Sequence, residues 1–152
     1  MNSLIKSVWT DYVAPLVSRP DRVQVAAACW RIGANGKEVL LVTSRDTKRW
    51  ILPKGWPVDG LSGAGSALRE AWEEAGVKEA KAADTSIGSY RYEKGLEGGS
   101  HVTCTTYVYD VEVLTLLDDY PEQAERDRRW VSPKEAATMV DEPELRALLT
   151  SF

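Results

Sequence analysis

A chain of 152 residues has the length of one domain, with enough residues to bury a sizeable core. Its 43% hydrophobic and 28% charged residues are ordinary for a globular protein, and no run approaches the roughly 20 apolar residues that cross a bilayer. The net charge of −4 argues against a general nucleic-acid binder and leaves room only for a local basic patch.

The first 22 residues, MNSLIKSVWTDYVAPLVSRPDR, show neither a continuous apolar stretch nor a cleavage site of the secretory kind, and they form an N-terminal segment of their own. Residues 23–152 hold no repeat, low-complexity tract or linker and read as a single domain. Cys29 and Cys104 each sit in a strand-like run, outside any CxxC or Cys/His cluster. They read as buried free thiols in a reducing compartment, and the cytoplasm is the expected location.

In chain order, Val23–Trp30 and Glu38–Ser44 predict strands, joined through IGANGK, whose Asn35-Gly36 pair signals a hairpin. RWILP is a short strand that Pro53 ends. A helix follows over Ser62–Ala75, with Gly76 placed to close it. SIGSYRYEK and HVTCTTYVYDVEVL are the next strands, separated by GLEGGS, and RRWVS is a last one. Ser132, Pro133 and Glu135 form a capping box that opens a helix, and PELRALL gives a final short helix. Strands around one central helix, with helices at the end, predict an α/β or α+β layered sandwich.

The central helix carries an anomaly. At 100° per residue Glu70, Glu73 and Glu74 share one side, while Leu68, Ala71, Trp72 and Ala75 share the other with Ala64. The carboxylates crowd the C-terminal turns, where the helix dipole disfavours each by about 0.3–1 kcal/mol. Like charges three or four apart cost roughly another 0.2–0.5 kcal/mol per pair. A solvated polar face is the ordinary reading of a charge run. Surface helices, however, mix both signs and keep acids toward the N-terminus. A bound cation removes both penalties, and Mg2+ is the natural ion because it is hard and takes oxygen ligands.

The stretch Leu52–Val77, LPKGWPVDGLSGAGSALREAWEEAGV, resembles the Nudix box G-x5-E-x7-R-E-U-x-E-E-x-G-U, where U is apolar. Gly55 matches the first glycine; Arg69, Glu70, Glu73, Glu74 and Gly76 match the later positions, with Ala71 and Val77 at the apolar ones. One position departs: Leu61 stands where the family has its first glutamate, which supports the arginine. If the helix begins early, Leu61 extends the Leu68/Trp72 face and packs there.

The resemblance implies an α/β/α sandwich with a central mixed sheet and a loop–helix–loop catalytic motif. It implies Mg2+-dependent hydrolysis of a diphosphate linked to another group, with Mn2+ as an alternative ion and a small phosphoanhydride molecule as partner. Glu73 and Glu74 match the metal ligands, and Glu70 shares the metal or takes a proton from water. Arg69 braces the carboxylates, and the Gly55 carbonyl adds a backbone ligand. VTSRDTKRWILPKGWP and YPEQAERDRRWVSPKEAA are similar to parts of diphosphoinositol-polyphosphate phosphohydrolase-type Nudix proteins, which handle highly phosphorylated inositols and dinucleoside polyphosphates. Such substrates demand cations, and Arg45, Lys48, Arg49 and Lys54 cluster just before the box. His101, the one histidine, is a further candidate for the phosphates, against its reading as polar surface. Trp50, Trp56 and Tyr92 are candidates for stacking on a base, against the ordinary reading, which takes precedence, that Trp50, Trp72 and Trp130 are core and Trp56 shapes the loop.

Two other classes compete. A ligand-binding module that keeps the fold with little catalysis is favoured only by Leu61. An enzyme that processes RNA ends would need a broader basic groove than this acidic chain offers.

Overall fold

The computed structural model describes residues 22–152, so the expected N-terminal segment lies outside the described residues except for its last position. Strand β1 (Arg22–Gly33) explains the architecture. Its run of small apolar residues is buried on both faces, Val25, Ala27 and Cys29 toward one side and Ala26 and Ala28 toward the other. Such a strand needs cover on both sides. It lies parallel to β7 (His101–Leu116) and antiparallel to β2 (Gly36–Thr43), which makes the sheet mixed.

Along β1, only the last residues, Trp30–Gly33, pair with β2. Nearer the start of β1, the short β4 (Lys54–Gly55) takes that edge, with Val25 opposite Gly55 and Ala26 opposite Lys54. β3 (Trp50–Ile51) and β8 (Arg128–Val131) both pair with β2. On the far side β7 is long enough to pair with β6 (Gly88–Gly95) over its first half and β5 (Val77–Ala82) over its second. A short 3-10 turn, Glu97–Gly99, links β6 to β7.

Helix α1 (Gly63–Ala75) covers one face through Ala64, Ala67, Ala71 and Ala75, small residues that let it approach the sheet closely. Helices α2 (Pro133–Met139) and α3 (Pro143–Thr150) cover the other through Ala136, Ala137, Leu145 and Leu149. The result is the α/β/α sandwich expected from the sequence. No helix among the described residues is long and apolar enough to cross a membrane.

Both ends of α1 follow local chemistry. The Ser62 side chain accepts a 2.9 Å bond from the Gly65 N–H, and Gly76 takes a φ of 78° that closes the helix. Ser132 caps α2 by accepting from the Glu135 N–H at 3.1 Å. Cys29 and Cys104 are buried free thiols.

Three local expectations are corrected, and one strand is unforeseen. The hairpin turn is formed by Ala34 and Asn35, and Gly36, with φ of 112°, begins β2. The turn therefore lies one residue earlier than the Asn-Gly signal places it. Val77–Ala82 is a strand that its Lys, Glu and Ala content does not announce; pairing with β7 decides it. Leu61 does not pack: it precedes the cap, is 41% exposed, and donates its N–H to the Val58 carbonyl in a turn. Trp72 is only partly buried, with the Lys78 ammonium 5.5 Å from its ring. Trp50 and Trp130 are partly buried against the two cores, while Trp56 is 37% exposed.

Candidate active site

A cavity of about 550 Å3 opens where β4 replaces β2 beside β1. One wall is acidic, formed by Glu70, Glu73 and Glu74 of α1 with Glu122 from the β7–β8 connection. Arg45, Arg49, Lys54 and Lys94 line the same space, with Asp46 and Glu93 among them, and Gly55 and Trp56 also border it.

Gly55 lies so close to α1 that a Cβ there would overlap the Glu70 carboxylate. A side chain at this position would have to displace the end of Glu70. Burial pushes the Glu70 carboxyl up to about 8, reinforced by the charges of Glu74 and Glu73. Burial also raises Glu74, opposed by Arg126, whose guanidinium lies 3.2 Å from Glu74 Oε2. The Lys54 backbone N–H donates to Glu74 Oε1 at 3.2 Å.

The Lys54 side chain turns to Tyr92. Its ammonium donates to the Tyr92 hydroxyl at 2.9 Å and sits 4.3 Å from that ring. Tyr92 in turn donates to Gln24 Oε1. Burial holds Lys54 down at about 8, with Lys94 acting in the same direction, and pushes the Tyr92 phenol up so that it stays a neutral donor. Lys54 thus contacts Glu74 with its backbone and Tyr92 with its side chain.

Seven of the ten site residues proposed from the sequence line this cavity: Arg45, Arg49, Lys54, Gly55, Glu70, Glu73 and Glu74. Arg49 is held by Glu142, NH1 to Oε2 at 2.6 Å, and Arg45 stands 3.8 Å from Glu125. Three are not brought in. Lys48 is exposed and donates to the Glu125 carbonyl at 3.0 Å. His101 is an exposed residue at the start of β7, opposite Gly95. Arg69 lies outside, 54% exposed, with its Nε 3.1 Å from Glu73; a surface pair of this i,i+4 kind contributes about 0.3–0.5 kcal/mol.

Sequence reasoning missed Arg126, Glu122, Lys94 and Gln24, and weighed Tyr92 only as a stacking ring. In PEQAERDRRW an arginine among alternating charges reads as solvated surface, and the i,i+4 spacing of Glu122 and Arg126 is the one local signal. Folding makes the difference: the Arg126 side chain is only 7% exposed.

The donor set suits a hard divalent cation in kind, since every side chain on the acidic wall offers carboxylate oxygen and the glycine approach leaves Glu70 room at the cavity edge. Among the described residues no three such groups are drawn to ligating spacing as they stand; Glu73 turns to Arg69 and Glu74 to Arg126. The raised Glu70 is the charge imbalance that a cation relieves.

Fold and site together define an α/β/α sandwich whose glycine loop and following helix build a carboxylate site against one edge of the sheet. A model of the NUDIX domain matches residues 22–151, and the chain belongs to the Nudix family. It is 35% identical over 104 residues to Nudix hydrolase 12, mitochondrial, of Arabidopsis thaliana, covering 67% of this chain and 51% of that protein. It is 31% identical over 115 residues to human diphosphoinositol polyphosphate phosphohydrolase 3-alpha, covering 74% of this chain and 65% of that protein. The chain therefore spans between half and two thirds of the length of these relatives. The crystal structure of a C. elegans Ap4A hydrolase superposes with a TM-score of 0.61 at 19% identity, covering 88% of this chain and 96% of that one. At that identity the likeness concerns the fold alone.

Proposed function

We propose that the protein is a Mg2+-dependent hydrolase of a phosphoanhydride bond in a small polyphosphate, of the diphosphoinositol polyphosphate or dinucleoside polyphosphate kind. One observation carries this reading: Glu70, Glu73 and Glu74 share a single cavity with Arg45, Arg49 and Lys54. Phosphate repels an acidic wall unless a cation intervenes, so juxtaposed carboxylates and guanidinium groups suit a metal on one side and further phosphates on the other.

In this reading Glu70, Glu73 and Glu74, with the Gly55 carbonyl, hold the ion. When bound, it neutralises the diphosphate and makes a water more acidic. Arg45 and Arg49 clamp distal phosphates bidentately, and Lys54 acts as a point charge fixed by Tyr92. Glu70 is the candidate proton acceptor from the attacking water. Arg69 supports Glu73 from outside. The buried free thiols of Cys29 and Cys104 support a reducing compartment, with the cytoplasm as the proposed one.

The test is phosphate release with Mg2+ from a panel of diphosphoinositol, dinucleoside-polyphosphate and nucleoside-diphosphate-linked substrates, run beside Glu74→Gln. Turnover of one class that collapses in the variant supports the hydrolase and identifies its substrate. Substrate binding without turnover above the variant on any member would favour a binding module, the reading that Leu61 motivates.

A further inference from the structure

Arg126 makes a three-way fork that no motif of the sequence marks. Its Nε donates to Glu122 Oε1 at 2.8 Å, one terminal nitrogen to the Thr43 carbonyl at 3.0 Å, and the other to Glu74 Oε2 at 3.2 Å. All three nitrogens are engaged, and the side chains of Arg126 and Glu74 are both 7% exposed. Three backbone contacts lock the same connection in place. The Glu122 N–H donates to the Glu73 carbonyl at 3.0 Å, the Asp127 N–H to Thr43 Oγ1 at 2.9 Å, and the Thr43 N–H to the Asp127 carbonyl at 3.0 Å.

Arg69 offers much less. It is mostly exposed, makes one bond to Glu73, and has Leu61 where the family pattern places its supporting carboxylate. We propose that Arg126 is the positioning residue of the metal site: tied to the end of β2 and to Glu122, it holds Glu74 in one orientation toward the cavity. The Lys54 N–H fixes the second oxygen of the same carboxylate, so Glu74 is gripped at both ends. Glu122 orients the guanidinium. Lysine, a point charge on a flexible stem, reproduces the charge but not the fork. The inference rests on the metal-dependent reading above.

Two physical effects of Arg126 oppose each other, and their signs differ in experiment. As a fixed positive charge it repels a cation; as a clamp it preorganises the ligand. Outer partners that orient metal ligands are typically worth about 10–100-fold in affinity or activity, and a buried fork with all three nitrogens engaged makes positioning the larger effect here.

The experiment titrates Mn2+ by electron paramagnetic resonance, and measures kcat and KM on the best substrate of the panel, for wild type, Arg126→Ala, Arg126→Lys, Glu74→Gln and the Arg126→Ala/Glu74→Gln double variant. Circular dichroism reports folding. The expected result is Mn2+ affinity and kcat both about 10–100-fold lower in Arg126→Ala, with Arg126→Lys between it and wild type. KM should move far less than kcat, and Arg126→Ala should add little in the Glu74→Gln background. Unchanged or tighter Mn2+ binding in a folded Arg126→Ala overturns the proposal, as do losses that add in full to those of Glu74→Gln. If Arg126→Ala fails to fold, Arg126→Lys decides: weaker Mn2+ binding supports the clamp, and wild-type binding overturns it. Wild-type protein that neither binds Mn2+ nor turns over any substrate would instead sink the metal-dependent reading, and the proposal with it.

Discussion

The Arg128 guanidinium donates at 2.7 Å to the carbonyl oxygen of Ala75, the last residue of the carboxylate helix, and at 2.6 Å to that of Leu117. A cation on the free carbonyls of a helix C-terminus offsets the negative pole of the dipole, to which the nearby glutamates add. Arg126, two residues earlier, pairs with Glu74 itself. One short connection thus supplies both positive charges that make an acidic helix end tolerable. These cations come from more than 50 residues away in sequence, where inspection of the helix alone does not find them.

Arg128→Ala is therefore expected to destabilise the fold. It strips two carbonyl oxygens of their donor, a loss of about 1–3 kcal/mol when such groups stay buried. The Asp118 partner is fully exposed and contributes nothing to this figure. Urea unfolding should show a lower midpoint at unchanged slope. A midpoint equal to that of the wild type would mean water satisfies these carbonyls as well as the guanidinium does.

Gly55→Ala addresses the approach of β4 to α1. The new methyl group overlaps the Glu70 carboxylate, which is a side-chain end able to move. The strain is thus relieved by displacing Glu70, and the cost falls on the site more than on the fold. A kcat at least about 10-fold lower is expected, with the circular dichroism spectrum retained, because in the role proposed for Glu70 a misplacement by an ångström costs about that much or more. Full activity in Gly55→Ala would show that the position of Glu70 does not matter to turnover.

What was legible in the sequence follows the range of the interactions. The helix from Ser62 to Gly76 could be read because its cap, its alanine face and its terminal glycine all lie within fifteen residues of each other. β1 could be read from composition, since a strand buried on both faces is apolar along most of its buried run, here Val25–Cys29. β5 could not, because VKEAKA becomes a strand only through its ladder with β7. The site divides the same way. The carboxylate helix and the Lys54–Gly55 pair before it are local in sequence, whereas Arg126, Glu122 and Gln24 reach the cavity by tertiary folding alone. Lys48 and His101 err in the opposite sense: they are near candidates in sequence, and the backbone at Lys48, with φ of 55°, carries its side chain to Glu125.

The raised Glu70 gives a pH dependence whose sign is fixed. Its carboxyl titrates at an ordinary 4.5 when unfolded and at about 8 in the folded, metal-free protein. Between those values the folded state binds more protons than the unfolded state, so rising pH lowers stability through this window. Glu74, raised in the same direction, adds to the trend. In the presence of chelator, thermal unfolding of wild type compared with Glu70→Gln should show the variant gaining on the wild type from about pH 5 to pH 8. Mg2+ should shrink the gap, because the ion favours the carboxylate form. A difference between the two proteins that stays flat across this range would show that Glu70 is ionised normally.

Leu61→Glu restores the residue that the family pattern carries. Leu61 is 41% exposed, outside the helix and without a core to leave, so its replacement removes little packing. A carboxylate just before the N-terminus of α1 also meets the favourable end of the dipole, worth about 0.3–1 kcal/mol. Stability should therefore be unchanged or slightly higher by thermal unfolding. The effect on catalysis separates two ways of bracing the site. With Glu74 already clamped by Arg126, a new support for Arg69 changes little, and kcat should stay within about three-fold of wild type, under 1 kcal/mol of barrier. A gain of ten-fold or more would show that Arg69 limits the enzyme for want of that carboxylate, and that the exposed arginine rather than the buried one sets the geometry of the acidic wall.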